Sequence, residues 1–103
     1  MSAQMPQIRE YEIHVTHPDV SGFELLEMLD LRSDLAARES EMTSDERLAL
    51  EQADAMLVRN ARAVHAAINA VADLAEMRSR LQVLPSQWWW YLDVLAEAMK
   101  AAA

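Results

Sequence analysis

SDERLALEQADAMLVRNARAVHAAINAVADLAEMRSR, residues 44–80, contains neither glycine nor proline. Leu50, Leu57, Ala61, Val64, Ile68, Val71 and Ala75 recur along it, alternating three and four apart after Leu57. That spacing predicts one long helix with a heptad-like seam, the mark of a close-packed helix pair. Alanine in the seam lets two helices approach closely while burying less area per residue. Leu57, Ala61, Val64, Ile68, Val71 and Ala75 are therefore the expected self-association surface of a homodimer. Unbroken, the helix would run about 55 Å. Asp54 stands where the repeat wants an apolar residue, and Asn60 and Asn69 flank the seam as possible break points.

Thr43-Ser44-Asp45-Glu46 is a capping box that opens this helix, and Ser21 with Glu24 is another that opens an earlier one. Val20 and Leu25 take the two positions of a hydrophobic staple around Ser21. Phe23, Leu25, Leu26, Met28, Leu29, Leu31 and Leu35 supply its apolar residues, and it should end near Ser40. Val83-Leu84-Pro85-Ser86 breaks the pattern, and a third helix follows with Ser86 as N-cap. Upstream, Tyr11-Glu12-Ile13-His14-Val15 alternates apolar and polar, the period of a strand, until Pro18. A lone strand is not stable, so it must pair with another chain or lie across the helices. The expected architecture is all-α: a three-helix chain with a long central helix, dimeric, with residues 1–20 extended and 21–103 forming the bundle. Residues 1–7 and the Ala101-Ala102-Ala103 tail should fray.

At 103 residues with one glycine, three prolines and no cysteine, the chain suits a single helical domain. The absence of cysteine excludes disulfides, thiolate metal sites and a cysteine nucleophile, and fits the cytoplasm. No apolar run reaches the roughly 18 residues needed to span a membrane. Residues 1–54 carry 13 acids against 4 arginines, net −9, whereas residues 55–103 carry 4 acids against 5 bases, net +1. An acidic N-terminal half repels phosphate backbones and attracts basic surfaces. Direct nucleic-acid binding is disfavoured, and a basic protein is the expected partner.

Trp88-Trp89-Trp90-Tyr91 places every tryptophan of the chain in one run. In an α-helix these four rings would sweep about 300° of the circumference. Trp88 shares a face with Leu92, Leu95 and Met99 and should be the core ring. Trp89, Trp90 and Tyr91 are the rings expected to meet a partner, since aromatics bury much area there at low entropic cost. Leu84-Pro85-Ser86-Gln87-Trp88-Trp89-Trp90-Tyr91-Leu92-Asp93 looks like the C-terminal box of small, uncharacterised bacterial helical proteins. In those, an acidic helical region and an alanine-rich helix precede the box, as in residues 21–97. The size and acidity also resemble antitoxins that neutralise basic toxins, which would imply a regulatory, non-catalytic role.

Three clusters hold candidate chemistry. His14 and His17 are spaced like metal ligands, but no cysteine or third histidine is near, so no metal or cofactor is expected. Arg59-Asn60-Ala61-Arg62-Ala63-Val64-His65 resembles the Arg–His motif of HEPN ribonucleases, which are all-helical and dimeric. The resemblance implies Arg59 as phosphate stabiliser and His65 as acid–base, paired across a dimer for metal-independent RNA cleavage. Arg9 and His14 show the same spacing, and that family usually carries the motif nearer its C-terminus; His65 reads better as a helix residue beside the seam. Glu24, Glu27, Asp30 and Asp34 recur three and four apart and so share a helical face. An acidic stripe without an opposing Glu-x-x-His helix is a solvated docking surface rather than a di-metal site. The favoured function is non-catalytic protein binding through Glu27, Asp30 and Asp34 with the outer tryptophan rings. A small ribonuclease or a scaffold subunit are the alternatives.

Overall fold

A computed structural model describes residues 5–102; of the fraying expected at residues 1–7 and 101–103, residues 1–4 and 103 lie outside them, and residues 6–7 and 101–102 are helical instead. Six α-helices follow one another among the described residues: α1 Pro6–Thr16, α2 Gly22–Ala37, α3 Ser44–Arg59, α4 Ala61–Asn69, α5 Leu74–Leu81 and α6 Leu92–Ala102. Single 3₁₀ turns occupy Glu39–Glu41 and Trp88–Tyr91. The all-α class holds, but the count of three helices does not.

The first correction concerns the expected strand. Residues 6–16 form α1, with Pro6 in the first turn, where its missing N–H costs nothing. Ile8, Tyr11 and Val15 lie i, i+3 and i+7 along one buried stripe. The alternation of Tyr11, Ile13 and Val15 overlaps that helical pattern, and Ile13 is exposed. Ile8 distinguishes the two periods, and it lies outside the alternating segment. The stripe packs on α2 and α3, and both ends of α1 are tied to α3. The Met5 N–H donates to Glu46 Oε2 (2.8 Å), and Asn60 Nδ2 donates to the Val15 carbonyl (2.8 Å). Glu46 also accepts from Thr43 N while Thr43 Oγ1 accepts from Glu46 N, the reciprocal box expected there. Hydrogen bonds from the Thr43 and Met5 amides hold the Glu46 carboxyl below its ordinary pKa.

The second correction concerns the long helix, which is divided into α3, α4 and α5. One break falls at Asn60, whose side chain is drawn away to α1. The other follows Asn69, and Asp73 then starts α5 by accepting from Glu76 N (3.1 Å). Breaking the rod lets its pieces fold back on the rest of the chain. Leu57, Ala61, Val64 and Ile68 are fully buried within this one chain, where α4 packs against α6 and α2. The seam expected between two copies is thus intramolecular. Val71 and Ala75, its last members, are exposed, because the chain has left the seam by Ala70.

Gly22, the only glycine, marks the tightest contact. A Cβ there would stand 2.3 Å from the Ala67 carbonyl oxygen and 2.7 Å from Val71 Cγ2. The start of α2 therefore lies directly on the end of α4, which requires a residue without a side chain. A backbone oxygen cannot rotate aside, so Gly22→Ala should destabilise by about 1–3 kcal/mol despite its better helix propensity. A rise in the urea midpoint of unfolding would contradict this contact.

Candidate functional site

Two polar assemblies organise the inside of the molecule. Arg32 occupies the buried stripe of α2 between Leu29 and Leu35 and is only 4% exposed. Its guanidinium meets Asp54 of α3 through both carboxylate oxygens, Nε to Oδ1 at 2.9 Å and Nη2 to Oδ2 at 3.0 Å. Nη2 also reaches Glu39 Oε1 (3.3 Å), and the Tyr11 hydroxyl donates to Asp54 Oδ1 (2.7 Å). The guanidinium carbon lies 4.3 Å from the centre of the Trp89 ring. Nη1 has no hydrogen-bond acceptor, and the ring offers it an attractive, non-hydrogen-bonding surface. Burial, then the Asp54 charge and hydrogen bond, push the Tyr11 hydroxyl far above its ordinary pKa, so it remains a donor. Asp54, out of place in an apolar repeat, is thereby explained: it answers the buried charge of Arg32. One network joins α1, α2, α3 and the Trp88–Tyr91 turn.

The second assembly centres on the tryptophans, and here the sequence expectation is reversed. Residues 88–91 form a 3₁₀ turn, started by Trp90 N–H donating to the Gln87 carbonyl (3.1 Å). Three residues per turn put Trp88 and Tyr91 on one side, and both are half-buried. Trp89 and Trp90 instead point inward, at 3% and 4% exposure. Their indole Nε1 groups both donate to Ser33 Oγ on α2, each at 2.9 Å, while that hydroxyl donates to the Leu29 carbonyl. Trp90, expected to face a partner, is a core ring, and Trp88, expected in the core, lies at its edge. Arg78 of α5 closes the assembly by donating to Asp93 and to the Trp90 carbonyl, with its guanidinium over the Tyr91 ring (4.4 Å). Asp93 is partly buried, which works to raise its pKa, yet the Arg78 hydrogen bond and charge carry it below the ordinary value. The box Leu84–Asp93 works chiefly as a lock between α2, α5 and α6.

The residues left on the outside form a different surface. Glu27, Asp30 and Asp34 are exposed on α2, as is Phe23 four residues before Glu27, at 64%. Positions 23, 27, 30 and 34 fall within an arc of about 60°. One outward face of α2 therefore presents an aromatic ring followed by three carboxylates. Asp30 has its pKa raised by partial burial and then by the charges of Asp34 and Glu27. The stripe is under mutual repulsion that a cationic surface would relieve. Phe23 was legible only as a core residue, because an apolar residue near a helix start gives no sign of which way it faces.

Arg59 is exposed at the end of α3, and His65 is half-buried on α4, bordering a shallow groove with Asp93, Val94 and Glu97. No hydrogen bond or ion pair joins Arg59 and His65. His14 and His17 lie at the end of α1, and no group of three or more His, Asp or Glu is placed to hold a metal ion among the described residues. No helix among them is long and apolar enough to cross a membrane. No family model, no curated protein and no solved structure matches this chain.

Proposed function

We propose that the protein is a non-catalytic interaction module whose outward α2 face docks a basic protein. The observation that carries this reading is the co-presentation of Phe23 with Glu27, Asp30 and Asp34 on one exposed face. A large exposed ring beside like charges serves folding poorly, because it stays in water while the carboxylates repel one another. Against a basic surface both become favourable: the ring is buried and the charges are paired. The rest of the acidic half steers the encounter, so binding should weaken as salt screens it. An antitoxin-like regulator is the concrete form of this reading.

The test is affinity capture at low salt, comparing wild type with a Glu27→Lys, Asp30→Lys, Asp34→Lys variant. Wild type should retain a basic protein in stoichiometric amount, and the variant should lose it. The side chains altered are all exposed, so the variant should fold. Equal retention by both proteins would remove α2 as the docking face. Metal-independent RNA cleavage abolished by Arg59→Ala and by His65→Ala would replace the binding reading with an enzymatic one.

A further inference from the structure

We infer that the pocket between the Glu39–Glu41 turn and the Trp88–Tyr91 turn seats an arginine side chain of the basic partner. The Trp88 indole is its stacking face and Glu39 its carboxylate. This inference rests on the proposed reading that the partner is a basic protein, and adds to it a site away from the outward face of α2.

The pocket measures about 450 Å³ and is lined chiefly by Glu39, Leu84, Ser86, Gln87, Trp88 and Trp89 around Arg32. Trp88 differs from its two neighbours. Trp89 and Trp90 spend their indole N–H groups on Ser33, whereas Trp88 donates to no acceptor among the described residues. It packs against Trp89 in a T-shaped contact, with centroids 5.9 Å apart and planes at 86°. A half-buried indole packed against the core and a neighbouring ring has less freedom to lose on binding than a fully exposed side chain.

Charge selects the occupant. Arg32 is buried and meets Asp54 through a two-oxygen contact, which leaves Glu39 as the charge of the lining that faces solvent. Glu39 gives Oε1 to Arg32, yet its side chain remains 47% exposed. A carboxylate or phosphate ligand would meet net negative charge, and a cation would meet its complement. The chain itself shows which cation such a surface holds. Arg32 lies over Trp89 with Asp54 beside it, and Arg78 lies over Tyr91 with Asp93 beside it. Trp88 and Glu39 present the same pair of components, with no arginine of the described chain over the Trp88 ring. The planar guanidinium stacks on an indole and forks onto a carboxylate, which an ammonium does less well. Leu84, 64% exposed at the rim, gives the aliphatic stem an apolar contact.

The test follows the three indole N–H resonances by NMR while a blocked hexa-arginine peptide is added, with Trp88→Phe fixing the assignment. The Trp88 signal should shift most and saturate, and the Trp90 signal, from a ring outside the lining, should hardly move. Hexa-lysine should bind several-fold more weakly at this signal, and Glu39→Gln should weaken the arginine peptide about fivefold or more. A Trp88 shift that persists in the α2 triple-lysine variant would support the pocket as a separate site. If backbone amides of residues 27–34 shift while the Trp88 indole does not, the pocket inference fails and the α2 reading stands. If no resonance moves, both fail. Equal response to arginine and lysine peptides, or an unchanged response in Glu39→Gln, also overturns the inference.

Discussion

Asp54→Ala is expected to cost about 3–5 kcal/mol, a large share of the roughly 5–15 kcal/mol that holds a domain of this size folded. The substitution leaves the Arg32 guanidinium buried with only the longer contact to Glu39, and it strands the Tyr11 hydroxyl in the core. An uncompensated buried charge, not the loss of a favourable bond, dominates the cost. The double variant Arg32→Met, Asp54→Leu removes both charges together and should recover most of the stability. Urea unfolding of the two variants checks this directly. If the single variant unfolds within about 1 kcal/mol of wild type, Arg32 is solvated and the network does not organise the fold.

Trp90→Ala carries the second large expected effect, about 3–5 kcal/mol, the range for a fully buried aromatic. Trp88→Ala should cost markedly less, because that ring is at the edge and donates no hydrogen bond. The ordering separates a 3₁₀ turn from an α-helix through residues 88–91. In a continuous helix Trp88 would share the buried face of Leu92, Leu95 and Met99, and the two costs would exchange places. Thermal or urea unfolding of each variant reads the order.

The sequence carried the helical class because breakers are scarce and capping signals stand out. Thr43 with Glu46 and Ser21 with Glu24 open helices where expected. The inward face of α6, with Leu92 buried and Leu95 and Met99 partly buried against the core, also follows from spacing alone. What spacing could not settle was whether a repeat packs against a second copy or against its own chain. Leu57, Ala61, Val64 and Ile68 have the same period in either case, and the answer lay in the two breaks. Asp73 followed three residues later by Glu76 was a readable start signal for α5. Arg32 in a leucine stripe and Asp54 in an alanine seam were each out of pattern, and together they marked the buried network. The tryptophan turn was not readable from helical angles, because a 3₁₀ turn rotates each residue by about 120° rather than 100°. Of the candidate site, the acidic stripe of α2 was visible, and its aromatic companion Phe23 was not.

The central claim, docking through the outward face of α2, is tested most directly by amide hydrogen exchange with and without the captured basic protein. Exchange should slow over residues 23–34 on complex formation, and around Glu39 and Trp88 if the arginine pocket is also used. Helix interiors exchange slowly in the free protein, so the clearest change should come in the first turn of α2, where backbone amides lack intrahelical acceptors. Protection confined to residues 59–65 or to the outer face of α6, with α2 unchanged, would contradict the account.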